Sequence, residues 1–397
     1  MKIYLITQEV PYPPINGLRL DTWNRIVALS RLGISIHLVT WFDEPVPSAH
    51  LQVLRGQVDS VAVYPRNRAV YLALHPRYPS QVVSRRLPRA TYKAELSRAK
   101  AISPDVILLD HLAGAVLGSS LAQDLNVPLV YRSHNVEHQY VKNMALTDHR
   151  IVKKMLLMSN VWRTRSIERF VRHYSTLVYD ISAMDRAAWK QDVVTDKMRV
   201  LNYCLHPDFI PAKNQGPKDF DVLYVGSLHL QNNIVGLKWF ARNVAPLLDD
   251  LRIVVAGARP SQGIDGILNS AGIDVIANPQ DVEALYTRAR VLINPIWHGS
   301  GVNIKMIELL ATGQPVVSTS FGARGLADRV IAHVHTADHP KTFATTVRAN
   351  VNEPFSAVQQ ATVIEEYGWE NIVELVEALK TIYAGQKQNQ QPLDSVD

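Results

Sequence analysis

Cysteine is almost missing from this chain: Cys204 is the single one in 397 residues. One thiol excludes an internal disulfide and a cysteine-built zinc cluster, and fits a reducing compartment. Long apolar runs are missing too. None approaches the ~18 residues that span a bilayer, and the opening MKIYLIT is a strand-length run followed at once by Gln8 and Glu9, too short for a secretory leader. Aromatics are 8% and charged residues 20% of a chain that is 47% hydrophobic, a globular balance with length for two cores. The expectation is a cytoplasmic protein with no integral segment.

The formal charge of +6 is modest but unevenly spread. Arg77 to Lys100 and Arg150 to Arg172 each hold seven basic residues and one acid, so these segments carry +12 and the rest of the chain −6. Such clusters suit an anionic partner: nucleic acid, phospholipid headgroups or a phosphorylated acceptor. In the second cluster, KKMLLMSNVWRTR sets Met155, Leu156, Leu157, Met158, Val161 and Trp162 among Lys153, Lys154, Arg163 and Arg165. That composition suits either a helix lying in an anionic membrane interface or a core-facing helix with a solvated basic side.

The most informative stretch is Val291 to Leu326, VLINPIWHGSGVNIKMIELLATGQPVVSTSFGARGL. An apolar strand, Val291 to Ile296, is broken by Gly299-Ser300-Gly301. Asn303 can cap a helix ending at Gly313, and Pro315 to Ser320 is the next strand. The helix is apolar almost all round except for Lys305, Glu308 and Thr312 on one seam. Glycines let a diphosphate approach the backbone, and the N–H groups of Gly301, Val302 and Asn303 with Lys305 meet its charge. Glu308, one turn on, can accept hydrogen bonds from ribose hydroxyls. The alternative is an intrahelical Lys305–Glu308 pair beside a plain turn. The glycine spacing fits neither a nucleophile elbow, a dinucleotide fingerprint nor a P-loop.

The run G-S-G-V-N-I-K-M-I-E-L-L-A-T-G-Q-P-V-V-S-T with G-A-R-G-L resembles the nucleotide-sugar signature of glycosyltransferase family 4. The resemblance implies an α/β protein of the GT-B fold: two Rossmann-like, doubly wound parallel-sheet domains facing a cleft. It also implies a retaining transferase that uses a nucleotide-diphosphate sugar without a metal or other cofactor. That family usually carries two glutamates eight positions apart. Glu308 matches the second, the ribose ligand, and Ser300 stands at the first. YVGSLHLQNNIVGLKWF resembles the family's first loop of the second domain, with Gly226 and Ser227 present but His229 and Asn232 where cations are usual. Gly17, beside Asn16 and Arg19, resembles the family's first glycine loop, which reaches toward phosphates and acceptor.

Strands alternating with helical patterns argue parallel sheets with ligands at the carboxyl edges. The first domain is expected over 1–205, with a helix over 369–383 crossing back to it. The nucleotide-sugar domain is expected over 206–368, and a disordered tail over 386–397. In RSHNVEH, after a strand, His134 can contact the transferred sugar, beside Asn135 and Glu137; His111, after VILLD, is a second candidate on the same edge. Asp219-Phe220-Asp221 spells a manganese motif of another transferase fold but sits at the amino end of a strand, away from ligands.

These readings converge on transfer of a sugar to a hydroxyl acceptor, a glycan or lipid-linked glycan. His134, Lys305 and Glu308 are the expected catalytic residues. A cytoplasmic enzyme at the inner face of the membrane, with no nucleic acid partner, is expected. The rivals are a nucleotide-sugar epimerase or phosphorylase of the same architecture and a nonenzymatic nucleic-acid module.

Overall fold

The computed structural model describes residues 1–69, 74–147, 150–189, 195–209, 217–258, 263–299 and 301–390. The chain divides into two compact units: Met1–Pro207 with the chain from Trp369 onward, and Asp208–Gly368.

The first unit is built on β1 (Lys2–Thr7), β2 (Ser35–Phe42), β3 (Ser60–Pro65), β4 (Val106–Asp110), β5 (Leu129–Ser133), β6 (Leu177–Asp180) and β7 (Met198–Val200). They lie in the order β3-β2-β1-β4-β5-β6-β7, every pairing parallel. A parallel sheet covered on both faces needs apolar residues at consecutive positions. In KIYLIT, Ile3 and Leu5 enter one core while Tyr4 and Ile6 enter the other. The helix Ile372–Gln390 places Ile372, Leu375 and Leu379 in the same core as Trp23 and Ile26 of the helix Gly17–Arg31. It enters the stretch expected to be disordered, since Gln and Lys are good helix formers there; 391–397 lie outside the described residues.

The second unit repeats the scheme with β8 (Phe220–Val225), β9 (Ile253–Gly257), β10 (Asp274–Ala277), β11 (Ala289–Asn294), β12 (Val316–Ser318) and β13 (Val334–Thr336), ordered β10-β9-β8-β11-β12-β13 and parallel throughout. In both sheets the first strand lies beside the fourth. Connections leave that point in opposite directions, opening a crevice at the carboxyl edge between β1 and β4 and between β8 and β11. Gly236 lets the helix Gln231–Asn243 press onto the chain after β11; a Cβ there would lie 2.1 Å from the Pro295 carbonyl oxygen.

Candidate functional site

In the second unit the carboxyl ends of β8, β11 and β12 bring three loops together. After β11 the chain turns through Gly299 at φ +151 and Gly301 at φ +62, backbone that side chains resist, and enters the helix Ile304–Ala311. Ser300 lies outside the described residues. Asn303 occupies the N-cap position, but its side chain makes no capping bond; the extended backbone alone starts the helix. The Met306 N–H already donates to the Asn303 carbonyl at 2.8 Å, while the N–H groups ahead of it have no acceptor within the helix and adjoin the half-buried Val302 and Asn303.

Met306, Ile307, Leu309, Leu310 and Ala311 bury the helix on most sides. Lys305 donates to the Tyr224 hydroxyl at 3.1 Å and lies 4.1 Å from the centre of its ring. Burial pushes the Tyr224 phenol up, so it stays protonated and can accept that bond. The intrahelical alternative fails: among the described residues Lys305 and Glu308 form no ion pair, and Glu308 has no hydrogen-bond partner. Desolvation lowers Lys305 to about 7, against the attraction of Glu308. Desolvation, then the charge of Glu283, raises Glu308 to about 7, with Lys305 opposing. Both residues keep some exposure, yet enough protein surrounds them to penalise charge. Thr312 does not share their role: its hydroxyl donates to the Leu309 carbonyl at 2.6 Å and accepts from Gln314.

Gly226, after β8, borders the same point; a Cβ there would lie 2.7 Å from the Tyr224 hydroxyl and 3.1 Å from the Lys305 ammonium. Ser227 is paired with His229 at 2.7 Å. Arg324, after β12, was not expected as a site residue. It donates to the Gly301 carbonyl at 3.3 Å and stacks 4.4 Å from the Phe321 ring centre, a second cation at the glycine loop. The legible signal was an arginine between two glycines directly after a carboxyl edge. Asp219 and Asp221 sit at the amino end of β8 on Arg288 and Arg290.

In the first unit the carboxyl edge carries a buried charge network. Arg25 bridges Asp110 at 2.6 Å and Asp21 at 2.7 Å, while Thr22 donates to Asp110. Arg132 reaches Asp21 at 3.2 Å. His134 lies inside this set, with Nε2 2.9 Å from Asp110 and Nδ1 3.2 Å from Asp21. Burial lowers its pKa against the pull of those carboxylates. Arg25, with His134 and Arg132, holds Asp110 well below the usual range despite burial. His111, at φ +95, accepts from the Ala113 N–H through Nδ1 and reaches Glu137 through Nε2 at 3.1 Å. His111 and His134 lie 5.7 Å apart by ring centres, and Asn135 donates to Glu137 at 3.4 Å. The edge therefore assembles His134, His111, Asn135 and Glu137, with the nitrogens of both rings engaged. Arg19 is bound to Glu9 at 2.8 Å, and Gly17 opens the helix behind the Asn16 cap.

Of the Arg77 to Lys100 cluster, Arg77, Arg86, Arg89, Lys93 and Lys100 are exposed and two cations are taken up by the fold. Arg85 is buried and donates to the carbonyls of Gln8 and Gln81, Arg98 is paired with Glu95, and Arg77 and Arg86 stack on Tyr78.

Residues 219–352 match the family model described as Glycosyl transferases group 1. A Klebsiella pneumoniae protein described as an uncharacterized 44.6 kDa protein in the cps region is 27% identical over 347 residues, 82% of this chain and 84% of that protein. Sucrose-phosphate synthase from Thermosynechococcus elongatus has a TM-score of 0.68 at 14% identity, over 97% of this chain and 100% of that chain. Anabaena HepE, solved in complex with UDP and glucose, has a TM-score of 0.64 at 13% identity, over 96% of this chain and 100% of that chain. The two doubly wound parallel sheets are those of the GT-B fold, and the second unit is similar to a glycosyltransferase family.

Proposed function

We propose that this chain is a glycosyltransferase that moves a sugar from a nucleoside-diphosphate sugar to a hydroxyl acceptor on a glycan or lipid-linked glycan. The observation that carries the reading is the state of Lys305 and Glu308. Each is displaced to about 7 by burial, yet the two do not pair, and they lie beside a glycine loop and a helix N-terminus. Charged groups kept unpaired at such cost mark a ligand site. A diphosphate supplies the anion for Lys305, Arg324 and the helix N-terminus, and a ribose supplies the donors for Glu308. The family match over 219–352 and the UDP bound in HepE support this reading. The cps-region relative supports an acceptor in polysaccharide assembly.

In transfer, negative charge grows on the departing diphosphate. Fixed cations and dipoles that need not reorganise stabilise it most there. Retention of configuration, supported by the resemblance to family 4, and independence of metal belong to the same proposal. The first unit's edge, with His134, His111 and Glu137, is assigned to the acceptor and sugar; His134 must release Asp110 or Asp21 to touch either.

The test is acceptor-dependent release of nucleoside diphosphate by the intact protein, with and without chelator. Lys305→Ala and Glu308→Ala should each lower turnover a hundredfold or more, on the order of 3 to 4 kcal/mol in the transition state. Consumption of nucleotide sugar with no acceptor would make it an epimerase, and a requirement for free phosphate a phosphorylase. Normal turnover in a folded Lys305→Ala protein would contradict the diphosphate role.

A further inference from the structure

Four arginines are buried among the described residues: Arg25, Arg85, Arg132 and Arg172. A guanidinium keeps its proton inside a protein, so each carries a full charge out of water and needs a counter-charge. Three of them have one. Arg25 holds Asp110 and Asp21, Arg132 reaches Asp21, and Arg172 pairs with Asp180. Arg85, only 5% exposed, has no carboxylate within ion-pair distance among the described residues. Its Nε donates to the Gln8 carbonyl at 2.8 Å, and its Nη1 donates to the Gln81 carbonyl at 3.0 Å and the Ser84 hydroxyl at 3.3 Å. Nη2 makes no hydrogen bond to any described residue.

The acids nearest in effect are already engaged elsewhere. Asp43, directly after β2, lies 2.5 Å from Arg66 and 3.3 Å from Arg68, and Glu9, after β1, lies 2.8 Å from Arg19. Burial first, and then the charge of Arg66, lower the Arg85 pKa to about 10 against the weaker pull of Asp43 and Glu9. A clamp between two carbonyls needs only neutral donors, which a glutamine supplies without burying a charge. An arginine held by neutral groups on one side, with its remaining nitrogen unused, is instead the half of a fork that an oxyanion completes.

The position of Arg85 gives that unmet charge a use. Gln8 directly follows β1, and its own side-chain oxygen is buried without a partner. The Gln81 amide lies 3.5 Å from Glu137, which holds His111, after β4, at 3.1 Å. Arg85 therefore stands at the carboxyl edge of the first sheet, beside the crevice between β1 and β4, where doubly wound sheets bind ligands. We infer that Arg85 binds an oxyanion carried by the acceptor, a phosphate ester or a carboxylate on a saccharide, through Nη2 at this edge. The naming of the ligand as the acceptor rests on the transferase reading; the site does not. Arg85 binds and orients, and no bond is made or broken at it.

The experiment is hydrogen exchange of the intact protein read by mass spectrometry, with glycerol 3-phosphate and glucuronate as probes and glycerol and glucose as their neutral counterparts. At least one acidic probe is expected to slow exchange in 8–16 and 80–87 where its neutral counterpart does not, and which of them does so tells a phosphate from a carboxylate. Arg85→Gln keeps donors for the two carbonyls and should weaken that binding tenfold or more, with circular dichroism and nucleoside-diphosphate binding unchanged. Asp43→Asn, at a side chain 45% exposed, should tighten it about threefold by removing a charge that opposes the anion; this arm decides the matter where Arg85→Gln does not fold. The inference is overturned if neither acidic probe protects the first unit, if Arg85→Gln binds the probe as tightly as the parent, or if Asp43→Asn fails to tighten it. Nucleoside diphosphate is titrated separately. Its binding to the second unit, with no acidic probe protecting 8–16 and 80–87, removes the Arg85 site and leaves the transferase reading standing; the reverse pattern supports the site and counts against that reading.

Discussion

Lys305 and Glu308 lie one turn apart on one helix and leave each other unpaired, a state that costs the protein stability. A glutamate raised from 4.5 to about 7 holds its proton where the unfolded chain has lost it, so its contribution falls as pH rises from about 4.5 to 7. A lysine lowered from 10.5 to about 7 has lost its proton where the unfolded chain still holds one. Its penalty is full below about 7 and is relieved as pH rises toward 10.5. Glu308→Gln should therefore stabilise the fold at pH 8, and Lys305→Met at pH 6, by on the order of 1 kcal/mol after allowance for partial exposure, each with a raised Tm. Scanning calorimetry at the two pH values checks this; a lower Tm in both would make them structural residues. Ligand affinity carries the opposite signs. A bare nucleoside should bind better as pH rises through 7 and Glu308 ionises, and the extra affinity contributed by a diphosphate should fall as Lys305 loses its proton. Titration of nucleoside and nucleoside diphosphate across that range separates the two. Gly226→Ala should fold but bind the diphosphate at least tenfold more weakly, since its Cβ would crowd the Lys305 ammonium at 3.1 Å.

The elements were legible where burial is continuous. VILLD, LVYRS and FDVLYV read as strands because each lies inside a sheet covered on both faces, and β13 did not, because Val334–Thr336 is a short, largely exposed edge. The glycine loop and its helix were legible because the loop, Lys305 and Glu308 are contiguous. The charge network was not: Asp21, Arg25, Asp110 and Arg132 come from three elements, and no spacing in the chain relates them. Thr312 was misassigned because helical periodicity places it on the seam without showing that its hydroxyl turns back onto Leu309. Glu168 gives an element-scale prediction. Burial raises its pKa while it holds the N–H groups of Glu137 and His138. Glu168→Ala should leave those donors unsatisfied and loosen the Glu137–Thr147 helix by about 1 to 3 kcal/mol. Hydrogen exchange should quicken along that helix and stay unchanged in the second unit.

For the whole molecule, two parallel-sheet units carry separate polar edges, one built from histidines and carboxylates and one from glycines, Lys305, Glu308 and Arg324. The central claim is that the second of these holds a nucleoside diphosphate. The most direct measurement is calorimetric titration of the intact protein, and of its Lys305→Ala and Glu308→Ala forms, with uridine, guanosine, adenosine and thymidine diphosphates. The account predicts that at least one binds the parent at a single site and that each substitution weakens it tenfold or more, the loss of a charge-assisted contact. It is contradicted if no nucleoside diphosphate binds, or if one binds and both altered proteins bind it as tightly as the parent.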